Sequence, residues 1–196
     1  MVAMVVKTME RQVLQLFGEL LEYPQIRLPV VTRECEAAVV HVNPEAASFL
    51  RKFRSFAEGA APGELEEIYI GTFELDAASC PYVGYHLLGE SYGRSVFMLE
   101  LKQRYKACGF DAGAELPDHL SVVLRFLAAC DDAAVAQEIV QDAVLPVLRK
   151  MLGEDDDDGS LSETDDTDAR QAGREVYGHL LRALRSVLEG PWGDIT

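Results

Sequence analysis

MERQVLQLFGELLEY, Met9 to Tyr23, places Val13, Leu16, Phe17, Leu20 and Leu21 at intervals of three and four residues. That period gathers the five side chains on one face of an α-helix. Thr8 stands where an N-cap would accept a backbone N–H, and Pro24 lies just past the end. The stretch therefore reads as one amphipathic helix, and the same period recurs down the chain.

Val31, Cys35, Ala38, Val39 and Val42 form the face of a second helix. Asn43-Pro44 then supplies a cap and a first-turn proline for a third, containing Leu50, Phe53 and Phe56. Glu64 to Leu75 reads as a fourth, with Leu65, Ile68, Tyr69, Thr72 and Phe73 on its buried side. A strand is the rival reading of EIYIGTFEL, weakened by its lack of strict alternation. SCPYVGYHLLGESYGR, Ser79 to Arg94, reads as a short helix over Tyr82 to Leu88, a turn at Gly89, and the start of a long helix from about Ser91 to Cys108. Pro117 is expected to start the next helix, with a face of Leu120, Val123, Leu124 and Leu127. A further helix spans about Asp132 to Leu152, with a kink or break near Val144 because Pro146 falls inside it. Helical segments in succession, without hairpin signals, predict an all-α fold, an irregular multi-helix bundle.

The chain has 196 residues and a formal net charge of -15. Such a charge excludes nucleic acid as the natural partner, because phosphate backbones call for a basic surface. Nine of the acids lie between Glu154 and Asp168, with no basic residue among them, so the rest is only mildly acidic. GEDDDDGSLSETDDTD, Gly153 to Asp168, has little to bury and repels itself, which predicts a disordered linker or loop. The expected organisation is a helical body over 1–152, an acidic linker over 153–169 and a C-terminal helix over 170–190 that packs back on the body. That last helix carries Val176, Leu180, Leu181, Leu184, Val187 and Leu188.

Apolar runs are broken by charge or proline long before the roughly 20 residues that cross a bilayer. No secretory leader is visible, so the expectation is a cytoplasmic protein without stable membrane insertion. Cys35, Cys80, Cys108 and Cys130 are widely spaced and predicted to be reduced and mostly buried. No metal or cofactor is expected.

Glycine-rich nucleotide loops, HExxH and the G-x-S-x-G elbow do not occur. From Glu154 to Asp165 the linker has Asp156, Asp158, Gly159, Leu161 and Ser162 in a calcium-loop register, but positions one and twelve are wrong for the ion. Glu115-Leu-Pro-Asp118-His119 is the sharpest polar cluster. Its plain reading makes Asp118 a first-turn cap; its catalytic reading is a small hydrolase using Asp118 and His119. Tyr82, Tyr85, His86 and Tyr92 make an aromatic, glycine-flanked group suited to holding a peptide, since rigid rings bury area at little entropic loss. Arg94, Lys102, Arg104 and Lys106 give the long helix a basic patch.

SCPYVGYHLLGESYGR and ELPDHL, together with LEEIYIGTFELD (Leu65 to Asp76) and LPDHLSVVLRFLA (Leu116 to Ala128), resemble in wording and order the nitrate reductase delta-subunit family, the NarJ-type assembly chaperones. The likeness runs from about Leu14 to Leu152. It implies an all-helical, non-enzymatic chaperone, working as a monomer or weak dimer. Its expected partner is the catalytic subunit of a molybdenum-containing respiratory nitrate reductase, chiefly the N-terminal segment. The chaperone would keep that subunit competent for molybdenum-cofactor and iron-sulfur insertion and for membrane assembly, without retaining a cofactor itself. A related molybdenum oxidoreductase acting on a substrate other than nitrate is the alternative client. The resemblance points to Glu115, Pro117, Asp118 and His119 as a segment for peptide recognition or for the hinge beside it. Charge and aromaticity add Tyr82, Tyr85, His86 and Glu90 to the expected peptide-binding set.

Overall fold

A computed structural model describes the backbone of residues 2–154 and 168–190 and the side chains of residues 10–154 and 173–190. The calcium-register reading and most of the acidic linker lie outside the described residues. Among the described residues ten helices follow in order: α1 Val2–Leu20, α2 Leu28–Val39, α3 Pro44–Gly59, α4 Glu64–Tyr69, α5 Val83–Leu88, α6 Tyr92–Ala107, α7 Leu120–Ala129, α8 Ala133–Ile139, α9 Leu145–Met151 and α10 Asp168–Glu189. Among the described residues there is no strand, only one antiparallel bridge between Tyr82 and His119. The predicted all-α, irregular bundle is the fold observed.

Packing runs α7 to α1 to α2 to α3 to α10, and α10 returns across α4 and α9. Val13, Leu16, Phe17, Leu20 and Leu21, the face read from the opening helix, are all buried. At the centre the rings of Phe53, Tyr69, Phe73 and Tyr177 meet at centroid distances of 4.8 to 5.8 Å. Such tilted and edge-on contacts add roughly 0.5–1.5 kcal/mol per pair beyond simple burial. They join α3, α4 and α10, so the C-terminal helix is part of the core.

Local chemistry explains where the helices begin and bend. The Asn43 side chain accepts from the Ala46 N–H at 2.9 Å, as the Asn-Pro reading expects, and its amide donates to Ser186 O at 2.8 Å. One residue thus caps α3 and ties it to α10. Thr8, by contrast, is no cap: α1 begins at Val2, with no glycine or proline between the two to stop the helix. Gly89 takes φ 64° and ends α5, a left-handed value for which glycine is the natural choice, and Ser91 caps α6.

Two π turns interrupt the pattern. Ile70–Glu74 continues α4 with a Leu75 N–H to Ile70 O bond, so EIYIGTFEL is helical rather than a strand. Val140–Val144 joins α8 to α9 just before Pro146. Proline has no N–H to give and its ring crowds the carbonyl four residues back, so the predicted disturbance near Val144 takes the form of a wider turn.

The cysteines differ from expectation. All are free thiols, but only Cys35 and Cys130 are buried; Cys80 is half-buried and Cys108, at the end of α6, is exposed. Cys108 is the C-cap of α6, next to Gly109, which takes φ 66° where the helix ends. Among the described residues no helix is long and apolar enough to cross a membrane.

Candidate functional site: an aromatic cleft at a loop-to-loop bridge

Two segments far apart in sequence meet at the Tyr82–His119 bridge. The Val83 N–H donates to Asp118 O at 2.8 Å and the Leu120 N–H donates to Pro81 O at 2.7 Å. Tyr105 OH donates to Pro117 O at 2.7 Å from beneath. Pro117 does not start α7; the helix begins at Leu120, and His119 is its N-cap, its Nδ1 accepting from the Ser121 N–H at 3.2 Å. Asp118 is therefore not the first-turn cap that its sequence position suggests. Both backbone groups that a proline-led first turn would use are taken by the bridge.

Asp118 is instead fully buried beneath that bridge, 0% exposed. Its Oδ2 accepts from Arg94 Nε at 2.8 Å, and the Arg94 guanidinium lies 5.2 Å above the Tyr82 ring. A Cβ on Gly84 would sit 2.8 Å from Asp118 Oδ2, 3.0 Å from Phe97 and 3.1 Å from Arg94. Glycine at 84 lets α5 close on the ion pair. The Arg94 pKa is raised, first by the hydrogen bond to Asp118.

Above this floor opens a cleft of about 440 Å³. Its walls are the rings of Tyr23, Tyr69, Phe73, Tyr82 and His119; its rim carries Glu22, Glu74 and Glu115 against one cation, Arg125. Three carboxylates against one guanidinium make the site acidic. Tyr82 and His119 meet edge-on at 5.3 Å. Burial, first of all, lowers the His119 pKa, against the pull of Glu115 and Asp118. Accepting from the Ser121 N–H places the proton of the neutral ring on Nε2. Burial likewise raises the Tyr82 pKa, helped by Glu115 and Asp118.

Of the seven residues expected in a peptide site, Tyr82, Glu115 and His119 line this cleft and Asp118 braces it from below. Tyr85, His86 and Glu90 are not among its lining residues. His86 Nε2 donates to Cys80 O at 2.7 Å and its own carbonyl accepts from Lys150 Nζ at 2.9 Å, so it fastens the loop to α5 and α9. Glu90 is exposed between α5 and α6. Sequence reasoning did not assign Tyr23, Tyr69, Phe73, Glu22, Glu74 and Arg125 to the site. The i, i+4 pair Tyr69 and Phe73 was legible as a buried face, while Tyr23 and Arg125 join it only through the packing of α1 on α7.

The model of the nitrate reductase delta subunit family matches residues 41–156, which include both bridged segments. The probable nitrate reductase molybdenum cofactor assembly chaperone NarJ of Bacillus subtilis (strain 168) is 28% identical over 172 residues, 87% of this chain and 84% of that protein. The nitrate reductase-like protein NarX of two Mycobacterium tuberculosis strains, CDC 1551 / Oshkosh and ATCC 25618 / H37Rv, is 31% identical over 116 residues. That match takes in 59% of this chain but 17% of the NarX protein. With more than half of its length matched by the family model, the chain belongs to the nitrate reductase delta subunit family.

Proposed function

We propose that this chain is an assembly chaperone for a molybdenum-containing nitrate reductase. It binds the catalytic subunit, including its N-terminal segment, and keeps it competent for insertion of the molybdenum cofactor and iron-sulfur cluster and for membrane assembly. The observation that carries the reading is the acidic, aromatic-walled cleft built where the two bridged segments meet. Family membership and the similarity to the B. subtilis assembly chaperone support the choice of client.

The physical case is one of recognition. Aromatic rings offer rigid apolar walls, and the rim acids favour a segment with basic side chains. His119 and Asp118, the pair a hydrolase would need, are both spent on structure: one caps α7 and the other holds Arg94. Affinity then comes from buried client side chains, while Glu22, Glu74 and Glu115 orient the approach.

Calorimetric titration with a synthetic N-terminal peptide of the catalytic subunit tests this. Saturable one-to-one binding is expected, weakened at least about tenfold by Tyr82→Ala, a truncation of a central aromatic. Absence of heat, together with no competition by the full-length apo subunit, rejects the peptide-cleft mechanism. Molybdenum content of the reductase from cells lacking this protein tests the assembly role itself, and normal content there rejects it.

A further inference from the structure

Cys108 and Cys130 are 22 residues apart in sequence, yet their sulfurs lie 3.9 Å from one another. Each is the C-cap of its helix, Cys108 of α6 and Cys130 of α7. Core packing brings them together. One turn earlier in each helix the rings of Tyr105 and Phe126 meet at a centroid distance of 4.6 Å, and Phe110 closes on both at 5.2 and 5.7 Å. The end of α7 is pinned further: Arg11 of α1 donates to the Cys130 carbonyl at 3.2 Å, and the Cys130 thiol donates to Asp132 O at 3.5 Å. The two thiols differ in access, for Cys130 is 5% exposed whereas Cys108 faces solvent. The other two cysteines have different surroundings. Cys35 is buried in the core, and Cys80 Sγ lies 3.8 Å from His86 Nε2.

We propose that Cys108 and Cys130 are a redox modification site, joined by hydrogen peroxide into a reversible disulfide within one chain. An exposed thiol beside a buried one is the arrangement of a reacting and a resolving cysteine. The Cys108 thiolate attacks the peroxide: its sulfur takes one oxygen, the O–O bond breaks, and the departing hydroxide takes a proton to become water. Cys130 sulfur then attacks Cys108 sulfur and the S–O bond breaks. The hydroxyl leaves with the Cys130 proton as a second water, so the thiol pair has given two electrons to the peroxide. Burial, above all, raises the Cys130 pKa, which keeps that sulfur protonated and leaves the first attack to Cys108. A disulfide needs the sulfurs at about 2.05 Å, and the solvent-facing Cys108 side chain, next to the permissive Gly109, is the one with room to move. Exchange with a dithiol, itself oxidised to its disulfide, returns both thiols. The bond staples the ends of α6 and α7 around residues 109–129, the span that carries Glu115 and His119 of the cleft wall and Asp118 beneath it. Closing such a loop restricts the unfolded chain and so stabilises the folded one. The inference does not depend on what the cleft binds.

Thiol titration of the full chain under denaturing conditions, before and after a pulse of hydrogen peroxide, tests it. The reduced chain should titrate four thiols and the treated chain two. Peptide mapping should find Cys108 joined to Cys130 with the loss of two hydrogens, and dithiothreitol should restore all four thiols. The treated chain should also show a higher urea midpoint and amide exchange over residues 109–119 at least about tenfold slower. Cys108→Ser, a change at an exposed position, should keep its remaining thiols through the pulse and show neither shift. Cys130→Ala should leave Cys108 as a sulfenic acid that dimedone captures. A wild type that retains four thiols, a linkage that maps to Cys35 or Cys80, or a reducible dimer joined through Cys108 overturns the proposal. A Cys108–Cys130 disulfide that changes neither the urea midpoint nor the exchange overturns its role as a staple.

Discussion

Asp118 and Arg94 show how one buried charge organises the loops around the cleft. With Asp118 fully buried, removing its partner leaves an uncompensated charge, which typically costs about 3–5 kcal/mol. Arg94 keeps a partly exposed side chain, so losing Asp118 is the milder of the two changes. Urea denaturation should therefore place Arg94→Ala below Asp118→Ala in stability, with Arg94→Leu/Asp118→Leu above both; equal losses for all three would discount the pair. The histidines set a pH window. Burial, the leading cause for His86, His119 and His179 alike, holds each pKa below its ordinary value of 6.5. A depressed histidine pKa means that the unfolded chain binds protons more readily. Stability is thus full above about pH 6.5 and declines as pH falls from there through the folded values. Urea midpoints at pH 7.5 and 5.5 should differ in that direction, and His119→Asn, which keeps a capping side chain, should reduce the difference. The Glu115-Leu-Pro-Asp-His sequence announced a polar cluster of consequence, but not its division of labour. Whether Asp118 caps a helix or meets Arg94 depends on a bridge to Pro81 and Val83, more than thirty residues away.

Helix by helix, the apolar period located what lies between the ends, and the ends followed the stronger local rule. Asn43-Pro44 was legible because cap and proline agree; Thr8 misled because the helix runs on through it, and Pro117 because the bridge to Pro81 and Val83 takes the backbone groups a first turn there would use. The π turns were invisible to a period fixed at 3.6, although Pro146 marked where one would fall. Asn43→Ala should cost about 1–2 kcal/mol, the usual worth of an N-cap, read as a lowered urea midpoint. Substitution by serine, which caps but cannot donate to Ser186 O from an amide, should recover part of it. Gly173 marks where α10 crosses α4: a Cβ there would collide with Thr72 Oγ1, whose hydroxyl already donates to Ile68 O at 2.7 Å. Gly173→Ala should therefore destabilise by about 1–3 kcal/mol although alanine favours helix, and Thr72→Ala in the same chain should relieve much of the loss. An outcome in which Gly173→Ala stabilises would mean that α10 stands off from α4.

Charge is where the whole molecule acts on the cleft. The formal charge of -15 is spread unevenly, nine acids falling within Glu154 to Asp168, yet at physiological salt fields fade over roughly 8 Å. Among the described residues, the charges that line the cleft are Glu22, Glu74 and Glu115 against Arg125, and these stand within that range of an arriving basic segment. Stopped-flow association of the client peptide should consequently slow as ionic strength rises, with the dissociation rate nearly constant, because steering acts on encounter and burial on residence. Replacing the three rim glutamates by glutamine should flatten that salt dependence while leaving the dissociation rate within about twofold, whereas Tyr82→Ala should do the reverse. If the glutamine variant keeps the full salt dependence, the field of the rest of the chain is doing the steering, and the rim acids hold the bound segment rather than fetch it.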